Sequence, residues 1–327
     1  MVFDRELLND LLDVFALGDG TISDRPVARG WLGEIWRLDA STGPWAVKTG
    51  TGPTREDEVE ASAPFQEAAV AAGIPAPAVR RTRDGRVLAT LGRVEVRVLA
   101  WADMMGPDPG LDPVAVGELL ARLHGMRGAR LASPVATVDP WFVDPVGAAV
   151  WDDHIGRAVQ RGAPFSADLA AHRDELVALE TLMRPPRDLL RCHRDLFSDN
   201  VRATPDGGIV VFDFDNSGAC DPSWELAFVL VEYATTSAPT HAGVDAVRAR
   251  ALHDAYVSAG APGQLTGRGD FTMIVAVLSH IVELATRRWL AATDDAERSE
   301  NAGRVAELTD RPLTRQVVDQ LLDACVS

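Results

Sequence analysis

Residues 192–200, CHRDLFSDN, combine residue types and a spacing that suit phosphoryl transfer. His193, Asp195 and Asn200 stand in the order H-x-D-x-x-x-x-N. An aspartate at this position would orient an attacking hydroxyl and accept its proton, and an asparagine five residues later would turn its amide oxygen toward a metal ion. The alternative is a polar turn between two strands, in which Asp195 and Asn200 only cap backbone groups.

A second acidic segment disfavours the turn. Residues 209–212 are apolar and typical of a strand, and Asp213 and Asp215 follow them, thirteen and fifteen residues after Asn200. A carboxylate at a strand end is placed like the aspartate that contacts ATP phosphates through Mg²⁺. Magnesium prefers one or two carboxylates together with phosphates and water. We therefore predict Asn200 and Asp213 as metal ligands, with Asp215 either a second ligand or a residue that orients the loop.

Lys48 is the only lysine among 32 basic residues. A position that keeps lysine in an arginine-rich chain indicates a need for a compact ammonium group. Lys48 ends an apolar strand, residues 45–47, that follows a turn containing Gly30 and Gly33. A glycine-rich hairpin lets backbone N–H groups approach phosphates, and a lysine on the next strand pairs with the α- and β-phosphates. Gly30, Gly33 and Lys48 are therefore predicted to bind a nucleotide.

The residues after Lys48 predict a helix over 54–72 that would carry an acidic partner for the lysine. Pro64 lies inside it and is a candidate for a kink or a split. We favour Glu60 as the partner because alanines flank it on the helix, while Glu56 and Glu67 stay open.

The chain changes character near residues 100–110. Before this point short apolar strands alternate with turns, and after it helical periodicity dominates. We predict a nucleotide-binding part over residues 1–100, with an antiparallel sheet and helices. Residues 101–327 are predicted to form a helical part with the catalytic loop and the substrate site. Helices are expected at 3–16, 54–72, 113–126, 145–161, 166–183, 222–236, 243–259, 267–292 and 312–325.

The composition sets limits on the class of protein. The chain is 46% hydrophobic and 24% charged, which is typical of a soluble globular protein. Its acidic N-terminal segment is unlike a signal peptide, and its apolar runs are too short to span a bilayer, so we expect a cytoplasmic protein. Three cysteines without CxxC spacing argue against a disulfide framework or a structural zinc site. The net charge of −16 argues against a nucleic-acid partner.

With these motifs the chain resembles the aminoglycoside phosphotransferase and choline kinase-like family. Residues 115–124 are similar to the family's LARLH helix, and residues 221–227 to its GDPxxDLA element. The resemblance implies an α+β, bilobal protein-kinase-like fold with a β-rich N-lobe and a helical C-lobe. It also implies ATP (with GTP possible) and Mg²⁺ as cofactors, and helix capping by Asp221. Arg194 departs from the family, which usually has glycine there.

The residue roles carried over from the family match those drawn from the motifs. Asp195 would be the catalytic base, Asn200 and Asp213 the metal ligands, and Lys48 the phosphate-binding lysine. Backbone groups of residues 97–101, including Leu99 and Trp101, would meet the adenine. His193 is expected to brace the loop.

Three other functions are weighed against a small-molecule kinase. A protein kinase needs a long activation segment, but only seven residues separate Asp213 from Asp221. A pseudokinase would lack one of Lys48, Asp195, Asn200 or Asp213, and all four are present. A phosphate-binding structural module would not need a carboxylate at position 195.

The sequence does not name the acceptor or the oligomeric state. Several candidates for the acceptor site are acidic, and these suit an amine-bearing molecule such as an aminoglycoside, an amino sugar or an amino alcohol. The candidates are Asp199, Asp215, Glu225, Glu232, Tyr233, His280 and Glu283. Trp151, Trp224 and Trp289 are candidates for a stacking surface, although aromatic residues on helices are more often core.

Overall fold

The computed structural model describes residues 3–29, 33–50, 56–126, 129, 138–235, 243–310 and 312–326. The chain divides into two compact units. The first comprises Met1–Gly106, Met126–Gly128 and Asn200–Ser217, and the second comprises Pro107–Gly125, Ala129–Asp199 and Gly218–Ser327. The sequence-based division at residue 100 therefore differs from the observed one, because the first unit continues to Gly106 and also takes in residues 126–128 and 200–217.

The first unit is built on an antiparallel sheet. Its strands are β1 (Gly20–Ile22), β2 (Ala28–Arg29), β3 (Gly33–Ala40), β4 (Gly43–Gly50), β5 (Val79–Arg80), β6 (Ala89–Leu91) and β7 (Val94–Ala100). Among the described residues their order is β1-β3-β4-β7-β5, with β2 paired to β3 and β6 paired to β7. The strand that ends near Lys48 is therefore central, and it is hydrogen-bonded on both sides.

Alternation along the strands places apolar side chains on one face of this sheet. Trp36 and Leu38 on β3, and Val96 and Val98 on β7, are buried two residues apart, as the period of a strand requires. Helix α1 (Arg5–Val14) covers them with the fully buried Leu11. Each such side chain contributes about 1.5–3 kcal/mol when it leaves water.

Helix α2 (Glu56–Ala71) is continuous although it contains Pro64. The proline therefore does not split the helix. Buried Val59 and Ala63 pack with Val87 and Leu88 of the chain that precedes β6.

The acidic segment joins the first unit through backbone hydrogen bonds. Strands β9 (Val201–Ala203) and β10 (Ile209–Val211) form an antiparallel pair. The Val211 N–H donates to the Pro75 carbonyl oxygen at 2.9 Å, and the Met105 N–H donates to the Ala203 carbonyl oxygen at 2.8 Å. These bonds explain why residues 200–217 group with the sheet rather than with the helices.

The second unit is helical, apart from the antiparallel pair β8 (Leu190–Cys192) and β11 (Gly218–Cys220). Its helices are α3 (Pro113–Gly125), α4 (Ala148–Gln160), α5 (Ser166–Glu180), α6 (Pro222–Ala234), α7 (Ala246–Ser258), α8 (Thr272–Ala291), α9 (Asp295–Asp310) and α10 (Arg315–Val326). Every residue of α6 is buried, as expected for a predominantly apolar helix. Asp221 caps α6 by accepting from the Ser223 N–H at 2.9 Å, as predicted.

Among the described residues, one helix has the length and composition of a membrane span. Arg268–Ala291 has a mean hydropathy of 1.4 in its most apolar window, but 67% of that window is buried within the protein, as in a core helix. Helix α9 was not predicted from the sequence. Its buried positions include the polar Asn301 and Thr309 beside Val305. Its hydrophobic period is therefore weak.

Candidate functional site

Four charged side chains of the first unit form one connected cluster. The Lys48 ammonium donates to both Asp213 oxygens at 2.9 and 3.1 Å, and to Asp215 Oδ2 at 2.8 Å. Both terminal nitrogens of Arg97 donate to Asp215, each at 2.5 Å. The cluster thus joins two cations to two carboxylates.

The sheet sets the positions of the two cations. Lys48 on β4 lies opposite Arg97 on β7 in the strand register, and directly opposed residues project to the same face of a sheet. The carboxylates follow β10, where Asp213 has a left-handed backbone with φ of 51° before the short 3₁₀ helix Phe214–Asn216. Phe214 is buried edge-to-face against Phe65 of α2.

Mutual attraction shifts the pKa values of Lys48 and Asp215 in this cluster, whereas burial raises the pKa of Asp213. Burial disfavours the charge on Lys48, but Asp213 and Asp215 outweigh it, and the pKa of Lys48 is raised. Burial likewise disfavours the charge on Asp215, but the Arg97 fork and Lys48 hold the pKa of that carboxyl far below its usual range. Both groups therefore carry their charges at neutral pH.

Asn200 and Asp213 form a donor set that fits magnesium. The Phe212 N–H donates to the Asn200 carbonyl oxygen at 2.8 Å, which links the backbones beside the two side chains. Asn200 is half-buried, and the Asp213 side chain is 39% exposed, so an ion can reach it. An amide oxygen and one carboxylate, with phosphates and water, are the hard ligands that Mg²⁺ takes.

Glu60 does not hold Lys48, which corrects the pairing predicted from the sequence. The Glu60 carboxylate accepts from the Val87 N–H at 2.5 Å and contacts Arg81 at 3.4 Å. Arg81 also forms a two-pronged bond with Glu67, at 2.7 and 3.0 Å. These two carboxylates of α2 therefore bind an arginine, and Asp213 and Asp215 take the place of the predicted helix partner.

The other predicted nucleotide-binding residues lie in or beside the same sheet. Gly33 pairs with Gly50, and a Cβ at Gly33 would collide with the Thr49 carbonyl oxygen, so glycine serves the close approach of two strands there. Leu99 lies in β7, and the Trp101 N–H donates to the Pro44 carbonyl oxygen at 3.1 Å. Gly30 lies outside the described residues. The roles of these residues toward a nucleotide stay predictions.

The predicted catalytic loop follows β8, and its residues up to Asp199 belong to the second unit. Asp195 is half-buried. The preceding Arg194 has a left-handed backbone with φ of 66°, and its guanidinium lies 4.1 Å from the Phe142 ring centroid. Because glycine adopts a positive φ without strain, this backbone explains why a family would prefer glycine where this chain has arginine.

A buried hydrogen-bond network supports the predicted catalytic loop. Glu225 accepts from the Arg194 N–H and lies 2.7 Å from His124 Nε2. His124 Nδ1 lies 2.8 Å from the Tyr256 hydroxyl, which accepts from the Gly263 N–H. Burial opposes the charge on Glu225, but the bond to His124 outweighs it and the pKa of Glu225 is lowered. The ionised carboxylate assigns the donor role to Nε2–H, and Nδ1 accepts from the tyrosine.

Comparisons with known proteins give the family. Residues 23–262 match the model of the phosphotransferase enzyme family. The chain belongs to this family. Membership confirms the predicted family and the prediction that the chain is an enzyme, a small-molecule phosphotransferase. No curated protein matches the sequence.

Solved structures share the fold of this phosphotransferase at low identity. A spectinomycin phosphotransferase in complex with ADP and spectinomycin has a TM-score of 0.66 and 12% identity over 99% of both chains. An amicoumacin kinase in complex with AMP-PNP, Ca²⁺ and Ami has a TM-score of 0.60 and 15% identity over 96% of both chains. A choline kinase from Cryptosporidium parvum Iowa II has a TM-score of 0.53 and 13% identity over 94% of this chain and 97% of the other. The predicted α+β fold class is confirmed.

Two predicted acceptor residues of the phosphotransferase are structural instead. Glu225 is fully buried and holds the Arg194 N–H and His124. Glu232 is buried and accepts from the Ser198 N–H at 2.8 Å, and burial raises its pKa. Both carboxylates, which project from α6, are committed to the catalytic loop and are not open to an acceptor.

The remaining acceptor candidates divide by exposure. Asp199 is exposed and Asp215 belongs to the Lys48 cluster. His280 stacks on Trp141 with ring centroids 5.0 Å apart, and Glu283 contacts His154 at 3.1 Å. Tyr233 is buried and cannot contact an acceptor. The three tryptophans predicted as a stacking surface are also buried, so that prediction is wrong; they are Trp151, Trp224 and Trp289.

Sequence reasoning missed Arg97 and Tyr256. Arg97 is an isolated arginine in a strand, and its position opposite Lys48 was the only signal that could have found it. Tyr256 lies 132 residues from its partner His124, so no local pattern reveals that contact.

Proposed function

We propose that this phosphotransferase transfers the γ-phosphoryl group of ATP to a hydroxyl group of a small molecule. The contact of Lys48 with Asp213, in a chain of this family that also carries Asp195 and Asn200 at the required spacing, is the observation that supports it best. Lysine and a strand-end aspartate are the pair that phosphoryl transfer needs for phosphates and metal.

Each residue has a role that its chemistry allows. Asp195 would orient the acceptor hydroxyl and accept its proton, and Lys48 would donate to the α- and β-phosphates. Asn200 and Asp213 would hold Mg²⁺, which when bound neutralises charge on the phosphates. Glu225 and Glu232 keep the catalytic loop fixed, so catalysis would come from position and electrostatics rather than from covalent chemistry.

The proposed acceptor is an aminoglycoside, an amino sugar or an amino alcohol. The net charge of −16 and the exposed Asp199 suit a cationic molecule. The similar structures include a spectinomycin phosphotransferase and a choline kinase. We further propose a cytoplasmic location and no partner among nucleic acids or membranes, with GTP as a second possible donor. A role in antibiotic resistance depends on which acceptor is used.

The test is ADP release with ATP and Mg²⁺ against a panel of these acceptors, with mass spectrometry of the product. We expect one acceptor to gain a phosphoryl group, and Asp195→Ala to lower that turnover by about 10²–10⁴-fold. Asp188→Ala, which removes an exposed aspartate seven residues earlier, is the matched control and keeps the turnover. Near-wild-type turnover in Asp195→Ala would refute the catalytic assignment. A wild-type chain that binds no nucleotide would refute the proposed function.

A further inference from the structure

Arg97 holds one carboxylate of the Lys48 cluster with a complete fork. Its two terminal nitrogens contact the two oxygens of Asp215, each at 2.5 Å, and its side chain is only 12% exposed. Asp215 Oδ2 also accepts from the Lys48 ammonium at 2.8 Å. Arg97, Asp215 and Lys48 therefore form a continuous chain of charge-assisted bonds, and these are stronger than bonds between neutral groups.

We propose that Arg97 is a positioning residue for nucleotide phosphates: it fixes Asp215, which fixes the ammonium of Lys48. This inference rests on the proposed function, in which Lys48 donates to the phosphates. The lysine is then held by the sheet and by the segment after β10, and not by helix α2.

The number of donors on Lys48 explains the need for a second carboxylate. An ammonium has three N–H donors, and here Asp213 and Asp215 receive them. Asp213 is also the proposed metal ligand, and a metal ion held there would compete with Lys48 for its carboxylate oxygens. Asp215 stays in place because Arg97 occupies both its oxygens. Lys48 then keeps one fixed anchor and has donors free for the phosphates.

Helix α2 offers no equivalent anchor among its described contacts. Glu60 and Glu67 both bind Arg81, and Glu60 also accepts from the Val87 N–H. Arg81 supplies a matched control, since it also forms a two-pronged bond with a carboxylate of the first unit.

The planar fork itself is what the proposal requires of Arg97. Lysine at this position would keep the charge but could not bond both oxygens of Asp215 in parallel. Arg97→Lys keeps a positive charge beside Asp215 but loses the fork, whereas Arg97→Met loses both. Comparing the two variants therefore separates the effect of the fork geometry from the effect of the charge.

The experiment measures the affinities of ADP with Mg²⁺ and of adenosine by titration calorimetry. Wild type, Arg97→Met, Arg97→Lys and Arg81→Met are compared after circular dichroism has established that each is folded. Both Arg97 variants should weaken ADP binding by about tenfold or more, as loss of a supporting partner typically does. Adenosine binding should stay within about twofold of wild type, because adenosine has no phosphate for Lys48 to contact. Arg81→Met should leave both affinities unchanged.

Three results would overturn the proposal. Equal losses for ADP and adenosine would mean that Arg97 only supports the fold, and unchanged ADP binding would mean that Lys48 needs no such anchor. Wild-type affinity in Arg97→Lys would show that charge alone suffices. If Arg97→Met does not fold, Arg97→Lys carries the test. Failure of the wild type to bind ADP would instead refute the proposed function.

Discussion

Two residues beside the proposed chemistry hold unusual backbone conformations. Among the described non-glycine residues, positive φ angles occur at Ala16, Arg194 and Asp213. Arg194 directly precedes Asp195, and Asp213 is the proposed metal ligand. A left-handed non-glycine residue costs about 1–2 kcal/mol, so surrounding contacts must maintain it. For Arg194 those contacts are the Glu225 carboxylate and the Phe142 ring.

The strain at Arg194 can be measured by comparing two truncations. Arg194→Gly and Arg194→Ala both remove the guanidinium, but only glycine relaxes the positive φ. We expect the glycine variant to be more stable than the alanine variant by about 1 kcal/mol in urea unfolding. At Arg173, inside helix α5, the order should reverse, because alanine favours a helix by about 1 kcal/mol. Equal stability of the two variants at 194 would contradict a strained backbone.

Single residues also show where sequence reasoning succeeds and where it ends. Lys48 and Asp213 could be selected because each follows a run of apolar residues, and the structure brings the two together. The partner of Lys48 was assigned wrongly to Glu60. A helix offers several acids that differ only in rotation about its axis, and the true partner Asp215 is 167 residues away. The placement of Arg97 beside Lys48 depends on the register of β4 and β7, which is also a long-range feature.

At the scale of elements, helix α6 carries two buried glutamates that bond to the catalytic loop and whose pKa values are shifted in opposite directions. The pKa of Glu225 is lowered because the bond to His124 outweighs burial. The pKa of Glu232 is raised because burial outweighs its bonds to Ser198. The sequence predicted a helix over residues 222–236 with Glu225 and Glu232 as acceptor candidates, because a sequence cannot tell a buried carboxylate that bonds to the protein from an exposed one.

These opposite shifts predict opposite responses to glutamine. Glu225 stabilises the fold above its usual pKa of 4.5, and this stability is lost as the pH falls through its lowered folded value. Glu225→Gln should therefore cost about 1–3 kcal/mol at pH 7 in urea unfolding, and the deficit should shrink below about pH 4.5.

Glu232 is the matched control on the same helix. Its raised pKa means that ionisation disfavours the fold as the pH rises above 4.5. The carbonyl oxygen of glutamine can still accept from the Ser198 N–H, so Glu232→Gln should be no less stable than wild type at pH 7. Equal losses in the two variants would contradict the opposite pKa shifts.

For the whole molecule, the charge balance bears on how a nucleotide could bind. The chain carries a net charge of −16, and polyphosphates are anions. Within the cluster, the charges of Lys48 and Arg97 are balanced by Asp213 and Asp215. This cluster therefore gives phosphates little net attraction by itself, and a divalent cation at Asn200 and Asp213 would supply the missing positive charge.

Nucleotide binding should consequently stabilise the protein only with metal. A ligand that binds the folded state at about 100 times its dissociation constant stabilises it by ~2.7 kcal/mol. We expect thermal denaturation to show such a shift for ATP with Mg²⁺, and a much smaller one when the metal is chelated. Asp213→Ala should abolish the metal-dependent part. Asp13→Ala, which removes an exposed, arginine-paired aspartate of the first unit, should keep it. A full shift without metal would mean that the cluster attracts phosphates unaided. A metal-dependent shift that survives in Asp213→Ala would mean that Asp213 is not the metal ligand.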